Sequence, residues 1–217
     1  MGAAGGKGFL AVGAQPMAIY SIRTLAKLSD LLSIVLVVVG DQQTRAAEIV
    51  ADSGPWPVPV HLARGGAERQ DSVAAGLALV ESGADLVVVH DAARPFVPLR
   101  CFQACIDTAA RSGAAIVAVP AHDTIKVVGT GMEIVQTLDR RGIWLAQTPQ
   151  VFRADLLRRA YAQARAEGYT ATDDATLVER LGAAVHVVPG ESANRKITTP
   201  DDLEWAESYL HGQRGVD

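Results

Sequence analysis

Short apolar runs alternate with amphipathic stretches along most of the chain. Ser33–Val39 is β-branched and ends at Gly40-Asp41, which is typical of a strand buried on both faces. Gln42–Ala51 follows with helical spacing. The pattern predicts further strands at 58–62, 86–90, 115–119 and 185–188, and helices at 17–28, 72–80, 99–112, 154–167, 173–181 and 200–210. This rhythm predicts an α/β fold, a mostly parallel sheet with helices on both faces.

A hairpin interrupts the rhythm. Thr124–Val128 and Glu133–Leu138 alternate in the manner of strands around Gly129-Thr130-Gly131. A lone two-stranded hairpin is barely stable in water, so it needs a surface to pack against. A partner subunit is one candidate for that surface.

Composition indicates one globular domain over residues 1–217. Of these residues 49% are apolar and 20% are charged, which excludes disorder. The longest apolar run is too short to span a membrane. The net charge of −4 gives no general attraction for nucleic acid. Cys101 and Cys105 complete no metal-binding or disulfide pattern, so a free pair in the reducing cytoplasm is expected.

The chain opens with a glycine-rich segment, GAAGGKG, that no predicted strand precedes. A Walker loop requires Ser or Thr after the lysine, but Gly8 follows Lys7, so that motif is absent. Two interpretations stay open. The segment is either a plain glycine-rich terminus or a loop whose N–H groups and Lys7 meet a phosphate.

Ligands of such sheets gather at the carboxyl ends of strands. Residues 64–72 form one such end, where two glycines permit close backbone approach and Ser72 caps a helix or contacts a base. Arg64 and Arg69 flank these glycines and favour an anionic ligand, although a simple turn with a cap explains the segment equally well.

The segment at residues 90–95, HDAARP, is the sharpest signal. Asp91 at the end of a buried strand suits Mg²⁺, and Arg94 suits a phosphate. The alternative is an Asp–Arg pair that caps the next helix. Lys196 lies in an otherwise apolar strand pattern, where a lysine is costly unless it meets an anion. Together these residues suit phosphoryl-type transfer by positioning and charge neutralisation.

Six motifs in register resemble the 2-C-methyl-D-erythritol 4-phosphate cytidylyltransferase family over nearly the whole chain. They are GGAERQDSVAAGL (65–77), HDAARPFV (90–97), DTIK (123–126), LDRRGIWLAQTPQVF (138–152), TDDA (172–175) and NRKIT (194–198). The resemblance implies a Rossmann-like nucleotidyltransferase fold and a homodimer that interlocks through a β-arm at 124–138. It also implies transfer of CMP from CTP to methylerythritol phosphate, a sugar-alcohol phosphate, with Mg²⁺ and release of pyrophosphate.

The resemblance also implies roles for individual residues. Lys7 would stabilise the transition state, and Asp91 would lie near Mg²⁺ and CTP. The residues that would read cytosine and ribose are Gly66, Ala67 and Ser72. Those that would contact the acceptor are Arg94, Thr124, Arg140 and Lys196, with Thr124 and Arg140 reaching across the dimer.

One departure from the family concerns the start of the chain. Met1-Gly2 match the end of the family's glycine-rich loop, so the first strand and the loop arginine are expected to be missing. This predicts an empty central position in the sheet and a native protein about 15–20 residues longer.

Two alternatives to the methylerythritol phosphate enzyme stay open. They are a ribitol 5-phosphate cytidylyltransferase and an inactive nucleotide-binding remnant. A dehydrogenase is disfavoured because no GxGxxG motif follows a strand.

Overall fold

A computed structural model describes residues 7–38 and 40–214. The predictions for residues 1–6 lie outside this range. The helices are α1 (Met17–Leu25), α2 (Gln43–Asp52), α3 (Arg69–Leu77), α4 (Leu99–Ser112), α5 (Ala154–Glu167), α6 (Asp174–Arg180) and α7 (Pro200–Arg214). The strands are β1 (Ala11–Val12), β2 (Gln15–Pro16), β3 (Ile34–Val38), β4 (Val60–Arg64), β5 (Leu86–Val89), β6 (Ala114–Pro120), β7 (Lys126–Val128), β8 (Ile134–Thr137), β9 (Trp144–Arg153) and β10 (His186–Pro189).

The largest sheet has four strands in the order β10-β6-β9-β5. β10 pairs with β6 in parallel, whereas β9 pairs antiparallel with both β6 and β5. The expected α/β fold is confirmed, and β9 makes the sheet mixed. Sequence analysis missed this strand because its buried stretch includes Gln147, Thr148, Pro149 and Gln150, which interrupt the apolar pattern.

Strand β6 shows why this sheet is covered on both faces. Ala114 and Ile116 pack into a cluster with α5 and α6, whereas Ala115 and Val117 pack into a cluster with α4. Because successive side chains of a strand point to opposite faces, a continuous apolar run such as this one buries both. Helix α4 ends at Gly113, which adopts φ of +94° and allows an immediate turn into β6.

β3 and β4 form a separate parallel pair. A cavity of about 1110 Å³ is lined by residues of β3 on one side and β5 on the other, including Val35, Val37, Val87 and Val89. Among the described residues no strand lies between β3 and β5.

The hairpin of β7 and β8, which we call the arm, projects apolar side chains into solvent. Met132 is 83% exposed and Ile134 is 62% exposed. Trp144 and Leu145, at the start of β9, are also exposed. Of the helices in the described ranges, none combines the length and the apolar character needed to cross a bilayer.

Candidate active site

The turn after β5 carries Asp91 and Arg94. The Arg94 N–H donates to the Asp91 carbonyl at 2.9 Å, and the Asp91 N–H donates to Thr148 Oγ1 at 3.0 Å. Thr148 Oγ1 lies 2.9 Å from His90 Nδ1, and His90 Nε2 lies 3.1 Å from the Arg94 carbonyl. Burial lowers the pKa of His90 to about 4, so the ring is neutral at pH 7. Thr148 therefore donates to Nδ1, and Nε2–H donates to Arg94, which fixes the turn.

The loop before α7 lies directly on this turn. The Ile197 N–H donates to the Ala93 carbonyl at 2.8 Å, and Arg94 Nη1 donates to the Asn194 carbonyl at 2.7 Å. Asn194 is fully buried, and its amide donates to acceptors on β9. These contacts bring Lys196 to the carboxyl end of β5.

Asp91 lies between two cations. Lys196 Nζ is 2.7 Å from Asp91 Oδ2, and Arg69 Nε is 3.3 Å from Oδ1. Burial alone would raise the pKa of Asp91. The charges of Lys196 and Arg69 outweigh that effect and lower the pKa to about 2. The group is therefore a carboxylate at every physiological pH.

The loop before α3 folds around Gly66. A Cβ at this position would lie 2.3 Å from Asp71 Cβ, so only glycine fits. The Gly66 N–H donates to Ser72 Oγ at 3.2 Å, and the Ser72 hydroxyl donates to the Glu68 carbonyl. The predicted helix start at Ser72 was wrong, because α3 begins at Arg69 with a capping box formed by Glu68 and Asp71. Ala67 is exposed beside this cap.

Arg69 joins Asp91 to a second carboxylate that sequence analysis missed. Its Nη2 lies 2.8 Å from Oδ2 of Asp174, which is fully buried. The Tyr161 hydroxyl donates to the other oxygen of Asp174. Its position in the sequence suggested an anionic ligand as the partner of Arg69. The structure shows that Arg69 contacts two carboxylates of its own chain. The adjacent acids Asp173 and Asp174 were the available signal for this site.

The remaining predicted site residues, Lys7, Thr124 and Arg140, lie in two other parts of the structure. The backbone of Lys7 belongs to a 3₁₀ turn, Lys7–Phe9, and a Cβ at Gly8 would lie 3.3 Å from Ala92. Thr124 and Arg140 are exposed at the base of the arm, where Arg140 donates to the carbonyl of His122. In the described part of the chain, neither forms a hydrogen bond or ion pair with the Asp91 cluster.

A divalent cation would find one hard oxygen ligand here, the Asp91 carboxylate. The described residues contain no group of three His, Cys, Asp or Glu side chains that could enclose a metal. Mg²⁺ in phosphoryl-transfer sites is commonly held by one or two carboxylates together with substrate phosphates and water. The partly exposed Asp91 fits that type of site, and does not fit a site built from protein ligands alone.

Comparisons with known proteins agree with this geometry. A sequence model of the 2-C-methyl-D-erythritol 4-phosphate cytidylyltransferase family matches residues 1–212. A protein of that name from Syntrophus aciditrophicus is 53% identical over 154 residues, which is 71% of this chain and 66% of that protein. One from Symbiobacterium thermophilum is 42% identical over 210 residues, 97% of this chain and 87% of that protein.

Solved structures give the same result. The 4-diphosphocytidyl-2C-methyl-D-erythritol synthase from Anaerococcus prevotii superposes with a TM-score of 0.87 at 29% identity, covering 96% of this chain and 95% of that one. Sequence and structure together assign the chain to the 2-C-methyl-D-erythritol 4-phosphate cytidylyltransferase family.

Proposed function

We propose that this protein transfers CMP from CTP to 2-C-methyl-D-erythritol 4-phosphate and releases pyrophosphate. The observation that carries the proposal is the 2.7 Å pair between Asp91 and Lys196 at the carboxyl end of β5. It joins a carboxylate suited to a cation with an ammonium suited to a phosphate. The identities of the nucleotide, CTP, and of the acceptor, methylerythritol phosphate, are proposed from membership of the family.

We assign the two substrates to different sets of residues near the Asp91–Lys196 pair. We assign the cytosine and ribose of CTP to Gly66, Ala67 and Ser72, which match the family's motif and share one tight loop, closed by the hydrogen bond from the Gly66 N–H to Ser72 Oγ. We assign the acceptor phosphate to Arg94 and Lys196. Both side chains start from segments that are hydrogen-bonded to one another, so their separation is held by the fold.

The reaction needs no covalent enzyme intermediate. An oxygen of the acceptor phosphate attacks the α-phosphorus of CTP. A new P–O bond forms as the bond to the β-phosphate bridging oxygen breaks, and pyrophosphate leaves with that electron pair. Lys7, which precedes a glycine that packs close to Ala92 in the Asp91 turn, is proposed to stabilise the charge that develops in the transition state. Lys196 and Arg140 are proposed to orient the attacking phosphate.

We propose Mg²⁺ as the cofactor, held by Asp91 and by the CTP phosphates. The cation would neutralise phosphate charge during the transfer. Asp91 suits this role because it stays ionised and its side chain is 17% exposed.

We also propose a homodimer in which residues 124–138 form the dimerisation arm of a single domain. The arm exposes Val128, Ile134 and Val135 together, and Trp144 extends the apolar surface. A contiguous apolar surface of this kind marks an interaction site, and a second copy of the chain would cover it. Arg140 at the base of the arm would then enter the partner's site.

A cytoplasmic location is proposed as well. Its support is the state of the two cysteines, since Cys101 and Cys105 are both free and buried. Burial raises the pKa of the Cys105 thiol to about 12, so it is unreactive at neutral pH.

The decisive experiment is pyrophosphate release from CTP and Mg²⁺, with methylerythritol phosphate and ribitol 5-phosphate assayed side by side. Release with methylerythritol phosphate alone supports the proposal. Release with ribitol 5-phosphate alone, or with neither acceptor, contradicts it. Asp91→Asn serves as the inactive control because it keeps the side-chain volume and removes the charge.

A further inference from the structure

Two cations contact Asp91, and they differ in how firmly each is held. The Lys196 side chain is 43% exposed and forms an ion pair with Asp91 at 2.7 Å. The Arg69 side chain is 31% exposed and bridges two carboxylates through different nitrogens, Nε to Asp91 and Nη2 to Asp174. Removing Lys196 from the site breaks one partly exposed contact, whereas moving Arg69 would also break its contact with Asp174.

Asp174 makes the Arg69 contact costly to break. It is fully buried at the start of α6, and one of its oxygens accepts from Tyr161. The other oxygen faces Arg69 Nη2 at 2.8 Å. Removing the cation would leave a buried carboxylate without its neutralising charge, which is strongly destabilising. Arg69 is therefore anchored by a carboxylate other than Asp91.

The surroundings of Asp174 are themselves fixed. Gln70, next to Arg69, donates to the Tyr169 carbonyl at 3.0 Å and accepts from the Ala171 N–H at 2.9 Å. Gln150 on β9 donates to Asp173 and accepts from the Ala175 N–H. The start of α3 and the start of α6 are thus joined at several points, and Arg69 is held between them.

We propose that Arg69, anchored on Asp174, is the residue that positions the Asp91 carboxylate, and that Lys196 is the partner that Asp91 exchanges for a divalent cation. The inference rests on the proposed function. Arg69 acts through Asp91 and is a positioning residue. Its fork of donors can serve two carboxylates at once, which the single ammonium of a lysine cannot do in the same geometry. Lys196, once released, is free to meet the acceptor phosphate.

Binding of Mn²⁺ with CTP, followed by electron paramagnetic resonance of the metal, tests this assignment without turnover. Arg69→Lys keeps the positive charge near Asp174 and is expected to weaken Mn²⁺ binding in the presence of CTP at least tenfold. Lys196→Ala is expected to bind Mn²⁺ and CTP as well as the wild type or better, because a competing cation is gone. Arg158→Lys is the matched control, since Arg158 is half-buried and donates to the Val80 carbonyl away from the site.

Asp174→Asn provides a second test that does not depend on the stability of Arg69→Lys. It preserves the volume of the buried side chain but removes the charge that anchors Arg69. Weaker binding of Mn²⁺ with CTP is expected in the folded protein, in the same direction as for Arg69→Lys. The inference is overturned if either variant binds as the wild type does, or if Lys196→Ala loses as much binding as Arg69→Lys.

CTP binding and pyrophosphate release by the wild type distinguish a failure of this inference from a failure of the proposed function. If the wild type neither binds CTP nor releases pyrophosphate, the proposed function fails. If the wild type does both and Arg69→Lys matches it in Mn²⁺ binding and in KM for CTP, only the positioning role is wrong.

Discussion

Lys196 Nζ lies 2.7 Å from Asp91 Oδ2, although the two residues come from opposite halves of the chain. The contact depends on the hydrogen bond from the Ile197 N–H to the Ala93 carbonyl, which lays the loop before α7 on the turn after β5. A carboxylate suited to a cation and an ammonium suited to a phosphate are thereby held together before any substrate arrives.

Replacing Lys196 with alanine should affect turnover far more than stability. The ion pair is partly exposed, and such pairs contribute up to about 1 kcal/mol to folding. Loss of a cation that orients a reacting phosphate should reduce kcat by about 100-fold. Steady-state kinetics and thermal unfolding measure the two effects. Lys27→Ala, at an exposed lysine outside the site, is the control. A large fall in Tm with little change in kcat would assign Lys196 a structural role.

Arg140 is expected to act across a dimer. Arg140→Glu and Asp91→Ala should each be inactive alone. In a mixed dimer one site carries both substitutions and the other carries neither. Random mixing of a two-fold symmetric dimer should therefore restore about a quarter of wild-type activity. The measurement is pyrophosphate release after the two variants are mixed and allowed to exchange subunits. No recovery in dimers shown to contain both chains would refute a shared site.

Gly66→Ala tests the loop before α3. The added Cβ would overlap Asp71 Cβ, so the start of the helix must move. We expect a loss of about 1–3 kcal/mol in the free energy of unfolding and weaker CTP binding. Gly83→Ala is the matched control, because a Cβ there meets nothing within 4 Å. Calorimetric titration with CTP and denaturant unfolding check both variants. Equal CTP affinity in the two would show that the nucleotide does not use this loop.

Asp202 should make the protein sensitive to acid. Its Oδ2 accepts from the Thr198 and Thr199 N–H groups at 2.9 and 3.0 Å, and these hydrogen bonds lower the pKa of the carboxyl well below its ordinary value of 3.8. The folded state therefore binds fewer protons than the unfolded state at low pH. This contribution to stability is complete well above pH 3.8 and is lost as the pH falls through that value and below.

Asp202→Asn should therefore lose less stability than the wild type when the pH is lowered from about 5 to 3, because Asn does not titrate. Tm measured across that range checks the prediction. Asp201→Asn, at the exposed neighbouring residue, is the matched control. Identical pH dependence for the wild type and Asp202→Asn would show that Asp202 does not contribute in this way.

Several elements were predictable because their signals are local. The helices at Leu99–Ser112 and Ala154–Glu167 have the predicted bounds, since an apolar stripe recurs at helical spacing and a glycine follows each one. The last helix begins at Pro200 as predicted, and Thr199 Oγ1 accepts from the Asp202 N–H at its start. Asp91 was proposed as a site residue because a carboxylate ends a buried apolar strand, and the structure places it between Lys196 and Arg69.

Strand β9 was not predictable from its own residues. Gln150 is 2% exposed, and its amide pairs with Asp173 and with the Ala175 N–H. Thr148 is satisfied by His90 and the Asp91 N–H. A polar residue in a strand normally indicates a solvent-facing position, and only partners distant in sequence make its burial favourable.

The sequence by itself determined the fold class, the family and the positions of the charged residues at the strand ends, because periodicity and short motifs act over a few neighbouring residues. Only the tertiary structure decided which charges meet. The carbonyl of Asn194 accepts a hydrogen bond from Arg94, 100 residues earlier in the chain. Arg69, at the start of α3, forms ion pairs with Asp91 and Asp174, which lie in two other segments. Such contacts arise when distant segments are packed against one sheet, and no local pattern specifies them.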